Sequence, residues 1–322
     1  MSGRRLQPGQ SGWRENIERN VLAAGQDQRG LRVVQDFSYE QAFSRNIGWL
    51  TRQEQHSLRG KRIAIAGLGG VGGSHVLTLT RLGVGAFNLA DFDRFDVVNF
   101  NRQAGAMTST LGRAKSDVLI AMARDINPEL SIRVFPSGVT KDNVGDFLTE
   151  VDLYVDGLDF FAFGARQAVF AACAIQGIPA VTAAPLGMGA AVLNFLPGRM
   201  TFEQYFLFEG QPEEEQAIRF LLGLSPARLQ MSYLVDRSSL SFAEQRGPST
   251  VMGCQLCAGL AATEALKILL RRGDVMCAPH GYHFDAYRNQ LARTWRPFGN
   301  NNPLQRLGLA IARRQLKRML NA

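Results

Sequence analysis

The sequence of 322 residues predicts an α/β fold in which a mostly parallel sheet carries helices on both faces. Short apolar runs alternate with helical patterns of about ten to fifteen residues, which is the spacing of parallel β-α-β units. The first apolar run, residues 61–66, leads into the glycine-rich turn 67–73, and Asp91 closes the second run. This order of strand, glycine turn, helix, strand and acid is typical of a Rossmann-like nucleotide-binding fold.

The parallel part of the sheet is predicted from five apolar runs bounded by turn residues. These strands are placed at residues 61–66, 85–91, 131–135, 152–156 and 179–183. The helices that connect them are placed at about residues 71–82, 112–126 and 164–176. Right-handed crossovers then put helices on both faces of the sheet.

The C-terminal part departs from this alternation. A further strand and a final antiparallel pair are predicted, at residues 190–196, 281–288 and 291–296. Residues 199–250 lose the alternation, and we interpret them as a crossover that faces the substrate. The periodic run 258–270 predicts a helix, because it ends in a basic turn followed by Gly273.

The net charge of +8 is concentrated at the C-terminus. Residues 291–322 contain seven of the 36 lysines and arginines and no acid, so the other 29 bases are balanced by 28 acids. The charge therefore describes a tail and is weak support for nucleic-acid binding by the body of the protein.

Composition also limits the location of the protein. No apolar stretch approaches the ~18–20 residues of a membrane span, and residues 1–5 precede polar sequence instead of the apolar core of a secretory signal. Four cysteines in so long a chain do not form a disulfide framework. We therefore expect a cytoplasmic protein without a transmembrane segment.

A dense run of polar side chains follows Asp91. Arg102 and Lys115 can neutralise phosphate oxygens, and Asn99 and Gln103 can orient them. Asp91 itself lies where a carboxylate can accept hydrogen bonds from both ribose hydroxyls. A nicotinamide dehydrogenase is disfavoured, because it would leave Asn99, Arg102 and Lys115 without a task. The pattern favours an enzyme that binds a nucleoside triphosphate.

In this order and spacing the motifs resemble those of the ubiquitin-activating-like adenylyltransferases, the ThiF/MoeB/HesA family. The family signature is a Gly-x-Gly-Gly-x-Gly loop, then Asp-x-Asp, Asn-x-x-Arg-Gln, a lysine and a late aspartate. The resemblance covers about residues 43–196 well and 251–290 loosely. It implies that ATP is bound by the residues that match the signature: Gly67, Gly69, Gly70, Gly72, Asp91, Asp93, Asn99, Arg102, Gln103 and Lys115.

The resemblance also divides the chain into four segments. Residues 1–58 form an N-terminal helical extension, and residues 59–198 form the ATP-binding Rossmann-like adenylation domain. Residues 199–298 supply the crossover insertion, the returning helix and the antiparallel strands of the same domain. Residues 299–322 form a basic amphipathic C-terminal helix.

Asp159 is the late aspartate of the signature and the candidate ligand for Mg²⁺. It follows an apolar strand at the sheet edge where ligands bind, and Mg²⁺ prefers a few carboxylates plus phosphate oxygens. With Arg102 and Lys115 it completes the residues expected to carry catalysis. The alternative is that Asp159 caps the next helix. The family commonly has an asparagine after this aspartate, but here Phe160 follows, so the contacts to adenine or substrate need not match.

Residues 43–47 resemble the N-terminal arm of the family. In family members the matching arginine reaches into the nucleotide site of the partner subunit. The resemblance therefore implies a homodimer in which Arg45 donates to the neighbouring site. The alternative is an ordinary surface arginine on a helix.

The cysteines depart from two family patterns. Many relatives hold a structural zinc with two Cys-x-x-Cys pairs, but here only Cys254 and Cys257 form such a pair. We predict that no zinc is bound and that these two cysteines are small core residues. Some relatives form a thioester or persulfide on a cysteine of the insertion, whereas residues 174–253 contain none. Direct adenylation without a covalent acyl-enzyme is therefore preferred.

The tail has the start signal of a helix, Asn302 followed by Pro303. Leu304, Leu307 and Ile311 share one face, with arginines around them. The simplest interpretation is a helix that packs on its own domain or on a dimer partner. An acidic partner protein, RNA and a membrane surface are the alternatives.

The predicted function is ATP-dependent adenylation of a carboxylate with release of pyrophosphate. The resemblance implies the C-terminus of a ubiquitin-like or sulfur-carrier protein, or a peptide, as the substrate. A tRNA-modifying dehydratase of the same fold is one alternative. A nucleotide-binding scaffold that has lost catalysis is another, because Phe160 and the absent cysteine depart from the family.

Overall fold

The computed structural model describes residues 37–236, Ser239 and residues 247–320, with side chains through Arg314. The chain divides into the units Met1–Ser38 and Tyr39–Ala322, and the second unit is described below. The part of the predicted N-terminal helical extension that falls on residues 1–36 lies outside the described residues.

Eight strands form one sheet in the order β3-β2-β1-β4-β5-β6-β7-β8. The strands are β1 (Arg62–Ala66), β2 (Ala86–Ala90), β3 (Ser131–Phe135), β4 (Leu153–Asp156), β5 (Ala180–Leu186), β6 (Gly189–Phe195), β7 (His280–Asp285) and β8 (Gln290–Trp295). Pairing is parallel from β3 through β5 and antiparallel from β5 through β8. The predicted mostly parallel sheet with antiparallel C-terminal strands is confirmed.

The α-helices of the described residues connect these strands and extend the chain at both ends. They are α1 (Tyr39–Ala42), α2 (Arg52–Arg59), α3 (Gly70–Leu82), α4 (Lys115–Ile126), α5 (Val144–Phe147), α6 (Phe163–Gln176), α7 (Phe202–Phe206), α8 (Glu213–Leu224), α9 (Val251–Leu270) and α10 (Pro303–Leu320).

The alternation of side chains along the strands builds a core on each face of the sheet. On β1, Ile63 and Ile65 pack into the cluster that includes α3, α4 and α9. Ala64 and Ala66 face the other side, where phenylalanines of α6, α7 and α8 fill the core. Helices therefore cover both faces, as the sequence predicted.

Two helix boundaries differ from the prediction. The helix predicted at 112–126 begins at Lys115, because Gly112 adopts a φ of 73° that interrupts a helix. The helix predicted at 258–270 begins at Val251, where the Thr250 hydroxyl accepts a hydrogen bond from the Gly253 N–H at 3.1 Å. The longer helix brings Cys254 and Cys257 into its first turns.

Helix α9 is the central helix of the α3 face. By length and composition alone it could cross a membrane. Half of that stretch is buried, and the helix packs on α3, β5 and β6, as the core helix of a folded domain does. Its buried Glu264 accepts hydrogen bonds from Asn194 at 2.9 Å and Tyr282 at 3.0 Å, which ties the helix to β6 and β7.

The C-terminal helix begins as predicted, since the Leu304 N–H donates to the Asn302 side chain at 3.1 Å. It packs on its own domain through Leu309, which joins Ile218 and Leu222 of α8. Leu304 and Leu307 lie on a different side and are exposed. The face that the sequence marked as apolar is therefore not the face that docks.

Close backbone contact joins the turn after β1 to the loop after β4. Gly67 has a φ of 80°, which favours glycine. A methyl group added at Gly72 or at Gly157 would overlap the carbonyl oxygen of Gly67. Gly72 and Gly157 therefore have no room for a side chain. The turn after β1 and the loop after β4 are in direct backbone contact here.

We predict that Gly72→Ala destabilises the protein although alanine favours helices. The overlap with Gly67 forces the turn open, and such overpacking costs about 1–3 kcal/mol. The control is Gly259→Ala on the exposed side of α9, where nothing lies near the added methyl group and about 0.5–1 kcal/mol should be gained. Urea unfolding followed by circular dichroism measures both. Equal midpoints for the two variants would contradict the close contact.

Candidate functional site

The carboxyl ends of β1, β2 and β4 lie at one edge of the sheet. β1 pairs in parallel with β2 on one side and with β4 on the other. The chain connections after β1 and β4 therefore diverge here, and ligands of open α/β sheets bind at such a point. The residues that follow the three strands are Gly67, Asp91 and Gly157. The predicted site residues other than Arg45 lie around them.

The turn from β1 into α3 presents backbone N–H groups. No described side chain caps α3, which starts at Gly70 with Gly69 before it. The first N–H groups of a helix have no partner within the helix, and with the helix dipole they attract an anion. Since no side chain shields these N–H groups at the glycines, a phosphate can approach them. The turn that the sequence predicted has the form of a phosphate cradle.

Asp91 joins the loop after β1 to the loop after β2 at this edge of the sheet. Its two carboxylate oxygens accept hydrogen bonds from the backbone N–H of Leu68 at 2.6 Å and of Asp93 at 2.7 Å. Burial raises the pKa of this carboxyl, and the two backbone hydrogen bonds oppose the rise. Asp91 thus fixes the glycine turn, a task that the sequence did not reveal beside the predicted contact with ribose.

Lys115 is a buried cation with one carboxylate partner. Its Nζ lies 2.8 Å from Asp93 Oδ2, and its side chain is only 7% exposed against 51% for Asp93. Its backbone N–H also donates to the Asp93 carbonyl at 2.9 Å. A buried charge needs such compensation. Asp93 therefore serves as the counter-ion that keeps Lys115 beside the phosphate cradle.

The Asn-x-x-Arg-Gln segment lies against the same turn. Asn99 accepts a hydrogen bond from the Asp96 N–H at 2.9 Å and so caps its own loop. Gln103 lies beside Gly69, and its buried Oε1 has no hydrogen-bond partner among the described residues. Buried polar atoms are normally paired. The amide nitrogen of Gln103 is the atom nearest Gly69, and it can donate to a phosphate oxygen in the cradle.

Arg102 and Cys254 flank Gly70 from two directions. A methyl group at Gly70 would lie 3.0 Å from Cys254 Sγ and 3.4 Å from Arg102 Cγ. The Arg102 guanidinium donates to the Val98 carbonyl at 3.0 Å and to the Asn101 side chain at 2.9 Å. The first turn of α9 therefore forms one wall of the cradle. Burial raises the pKa of the Cys254 thiol, and a hydrogen bond with Ser249 and the charge of Arg102 oppose that rise.

Asp159 is exposed on the loop between β4 and α6. One carboxylate oxygen accepts the Phe161 N–H at 3.0 Å. Helix α6 has Ala162 before its first residue and no side-chain cap among the described residues. The alternative role of Asp159 as a helix cap is therefore wrong. The carboxylate lies on the loop whose Gly157 touches the cradle.

Arg166 is the residue that sequence reasoning missed. It is 2% exposed, and its Nε donates to Asp156 at 2.8 Å. The rest of its guanidinium donates to three successive carbonyls, those of Leu158 at 2.8 Å, Asp159 at 3.0 Å and Phe160 at 3.2 Å. The planar fork of arginine suits this arrangement, and a lysine could not reproduce it. The signal in the sequence was one charge in the otherwise uncharged helix 163–176.

The phenylalanines after Asp159 belong to the core. The ring of Phe160 lies 5.3 Å from that of Phe220 on α8, and the Arg166 guanidinium lies 4.5 Å over Phe220. These contacts attach the loop to α8. Phe160 thus packs against its neighbours, and the Asp159 carboxylate beside it is exposed.

The described residues contain no cluster of metal ligands. No group of three or more histidine, cysteine, aspartate or glutamate side chains that could hold an ion occurs within the described part of the chain. All four cysteines fall in that part and are free thiols, with Cys254 and Cys257 buried. Their burial confirms them as core residues of α9.

Comparison with known families now identifies the architecture. The model of the ThiF family matches residues 43–307. The chain belongs to the ThiF family. The cradle, Asp91, Lys115 and Asp159 all fall inside the matched region.

Relatives of the chain include enzymes of different activities. The chain is 37% identical over 126 residues to the tRNA threonylcarbamoyladenosine dehydratase of Escherichia coli. The aligned region covers 39% of this chain and 46% of that protein. It is 31% identical over 143 residues to the sulfur carrier protein ThiS adenylyltransferase of Escherichia coli. This alignment covers 44% of this chain and 56% of that protein. The chain thus spans about half the length of these relatives.

Solved structures agree on the fold. The ATP complex of E. coli MccB aligns with a TM-score of 0.58 at 18% identity, covering 79% of this chain and 70% of that one. E. coli tRNA N6-threonylcarbamoyladenosine dehydratase aligns with a TM-score of 0.54 at 22% identity, and the alignment covers 72% of this chain and 95% of that one. This ThiF-family chain therefore has the architecture of these enzymes.

A histidine lies buried behind the cradle, on α3. His75 has no exposed surface, and neither ring nitrogen has a hydrogen-bond partner among the described residues. Burial lowers its pKa to about 4, although Asp156 acts in the opposite direction. The imidazole is therefore neutral in the folded protein near pH 7. In the unfolded chain it titrates near its ordinary value of 6.5.

We predict that His75 makes the protein sensitive to acid. Between pH 6.5 and about 4 the unfolded state binds the extra proton, so stability is lost as the pH falls through this window. At ~1.36 kcal/mol per pH unit the loss is about 3 kcal/mol. His75→Leu should remove this component and change stability at pH 7 by less than about 1.5 kcal/mol.

The measurement is the free energy of unfolding in urea from pH 7 to pH 4. His280→Leu, which replaces an exposed histidine on β7, is the matched control and should follow the parent. A His75→Leu profile parallel to that of the parent would contradict the prediction.

Proposed function

We propose that this chain is an ATP-dependent adenylyltransferase that activates a carboxylate and releases pyrophosphate. The observation that carries the proposal is the convergence of the glycine turn, Lys115 and the Asp159 loop on one edge of the sheet. Gly72 and Gly157 both touch the Gly67 carbonyl, so the two connections are neighbours. A dehydrogenase would have no use for the buried Lys115.

The proposed reaction needs position and charge more than covalent chemistry by the protein. A carboxylate oxygen of the substrate attacks the α-phosphorus of ATP, the bond to the bridging oxygen breaks, and pyrophosphate leaves. The N–H groups of the glycine turn hold phosphate oxygens. Arg102 and Lys115 offset the negative charge that develops in the transition state, and Asp91 keeps the turn in place.

The residues fit a magnesium ion that accompanies ATP. A magnesium ion would neutralise phosphate charge and take most of its ligands from the phosphates and water. Asp159 would hold it, because this carboxylate is exposed beside the cradle and has one oxygen engaged with the Phe161 N–H. Arg166 would keep the loop of Asp159 in position through its three carbonyl contacts.

We propose the C-terminus of a small carrier protein or a peptide as the substrate. Relatives support this class, since one is a ThiS adenylyltransferase and another is a SAMP-activating enzyme. A tRNA-modifying dehydratase is the second candidate, because a tRNA threonylcarbamoyladenosine dehydratase is 37% identical to this chain over 126 residues. Carrier-dependent pyrophosphate exchange distinguishes the first from tRNA-dependent ATP consumption in the second. Neither activity would be seen with an inactive scaffold.

We propose further that no covalent acyl-enzyme forms. Residues 174–253 contain no cysteine, and burial raises the pKa of the Cys257 thiol. Cys254 is the thiol beside the cradle, and burial raises its pKa as well. A thiol that stays protonated is a poor nucleophile. The four free thiols are also consistent with the cytoplasmic location that we propose.

The position of Arg45 supports a homodimer. Arg45 is exposed, and its neighbour Asn46 donates to the carbonyl of Leu82, the last residue of α3, at 3.2 Å. The cradle lies at the other end of this 13-residue helix, which is about 18 Å away at ~1.5 Å per residue. Arg45 cannot reach its own nucleotide site from there. If it contacts ATP, it does so in a partner subunit.

The catalytic proposal is tested by carboxylate-dependent ATP–pyrophosphate exchange. Arg102→Ala should lower exchange by about 10²-fold or more, because a preorganised charge is lost from the phosphate site. Cys254→Ala with Cys257→Ala should leave it within a few-fold of the parent. Arg81→Ala, at the far end of α3, is the charge-matched control. A panel of peptides ending in Gly-Gly supplies the carboxylate. Loss of exchange in the folded cysteine variant would disprove the direct route.

The dimer proposal is tested by complementation. Arg45→Ala and Lys115→Ala should each be nearly inactive alone. An equal mixture should regain about a quarter of the parent activity, because half of the dimers are hybrids and each has one intact site. Subunit exchange is checked with differently tagged chains. No recovery despite exchange would place Arg45 outside the neighbouring site.

A further inference from the structure

The docked side of α10 is well defined. Leu309 is 2% exposed and packs on α8. Gln305 donates to the Leu222 carbonyl at 3.0 Å, and Arg313 Nε donates to Glu215 at 2.8 Å. These contacts fix which side of the helix faces outward.

The outward side carries a row of aliphatic side chains. Leu304 is 64% exposed, Leu307 61% and Ile311 43%. Spacings of three and four residues align them along one face of the helix. Single exposed apolar residues are ordinary on protein surfaces, but an aligned row indicates a binding surface.

Positive charge surrounds this row. Arg306 and Arg314 are exposed on the helix, and Lys317 and Arg318 follow in the sequence. Residues 291–322 contain no acid. Arg313 is held by Glu215 of α8, so the charges of Arg306 and Arg314 remain available for an external partner.

We propose that the outward face of α10 binds an anionic lipid bilayer. Helices that lie in a membrane interface combine aliphatic side chains with flanking arginines or lysines, whose stems follow the apolar surface while the charges reach the headgroups. Each base near an anionic surface strengthens binding several-fold. The docked side of α10 keeps the helix on the domain while Leu304, Leu307 and Ile311 enter the interface.

Other occupants fit the surface less well. A second copy of the helix would bring two rows of arginines together. Three partly exposed aliphatic side chains offer well under the ~800 Å² per partner that a stable protein interface buries. RNA would use the arginines but would leave the aliphatic row without a role. A bilayer uses the charge and the row together.

The test is sedimentation of the full chain with vesicles. We expect binding to phosphatidylcholine vesicles containing about 30% phosphatidylglycerol and at least about tenfold weaker binding to phosphatidylcholine alone. Leu304→Ser with Leu307→Ser and Ile311→Ser should weaken binding at least about tenfold, as should Arg306→Gln with Arg314→Gln. Ile175→Ser, which changes an 86% exposed apolar residue on α6, is the control and should bind like the parent.

The changed side chains are exposed, so circular dichroism should show folded variants. Four results would overturn the proposal. The first is a parent that ignores anionic vesicles, and the second is a serine variant that binds them as the parent does. The third is a change of oligomeric state in the serine variant, which would make the row an interface between copies. Binding to polyuridylate that needs the arginines but not the aliphatic row would equally overturn it in favour of RNA.

Discussion

The backbone contact between Gly67, Gly72 and Gly157 is the constraint on which the site depends. Because the carbonyl of Gly67 lies against both other glycines, the turn after β1 and the loop after β4 occupy adjoining space. This places the N-terminus of α3 and the Asp159 loop on either side of one point at the sheet edge. Side chains at these glycines would push the two halves of the candidate site apart.

Charge around this contact is arranged in advance of any ligand. The Asp91 carboxylate accepts hydrogen bonds from two backbone N–H groups, and Asp93 neutralises the buried Lys115. Arg166 satisfies Asp156 and three carbonyls, so it holds the Asp159 loop and is not available to a ligand. A phosphate group would compete with Asp93 for Lys115. The protein thus holds its cations close to the cradle without leaving a buried charge unpaired.

Much of the fold was predictable because strand burial and glycine turns are local in the sequence. The parallel strands, the antiparallel end and the glycine turn all followed from periodicity and turn chemistry. The role of Arg166 could not be predicted, because Asp156 and Phe160 come close to it only when the loop after β4 folds back. The docked face of α10 was misjudged for a similar reason. Leu309 is selected by the shape of α8, and hydrophobicity alone could not separate it from Leu304. The earlier start of α9 depends on Thr250, which caps the helix and stands at the end of a polar run in the sequence.

The most direct test of the central claim is isothermal titration of the purified chain with ATP and Mg²⁺ and, separately, with NAD⁺. The cradle beside Lys115 and Arg102 suits a triphosphate, so ATP with Mg²⁺ should bind at least about tenfold more tightly than NAD⁺. Lys115→Met should reduce the affinity for ATP and leave that for NAD⁺ little changed. Tighter binding of NAD⁺ to the parent would contradict a site built for adenylation.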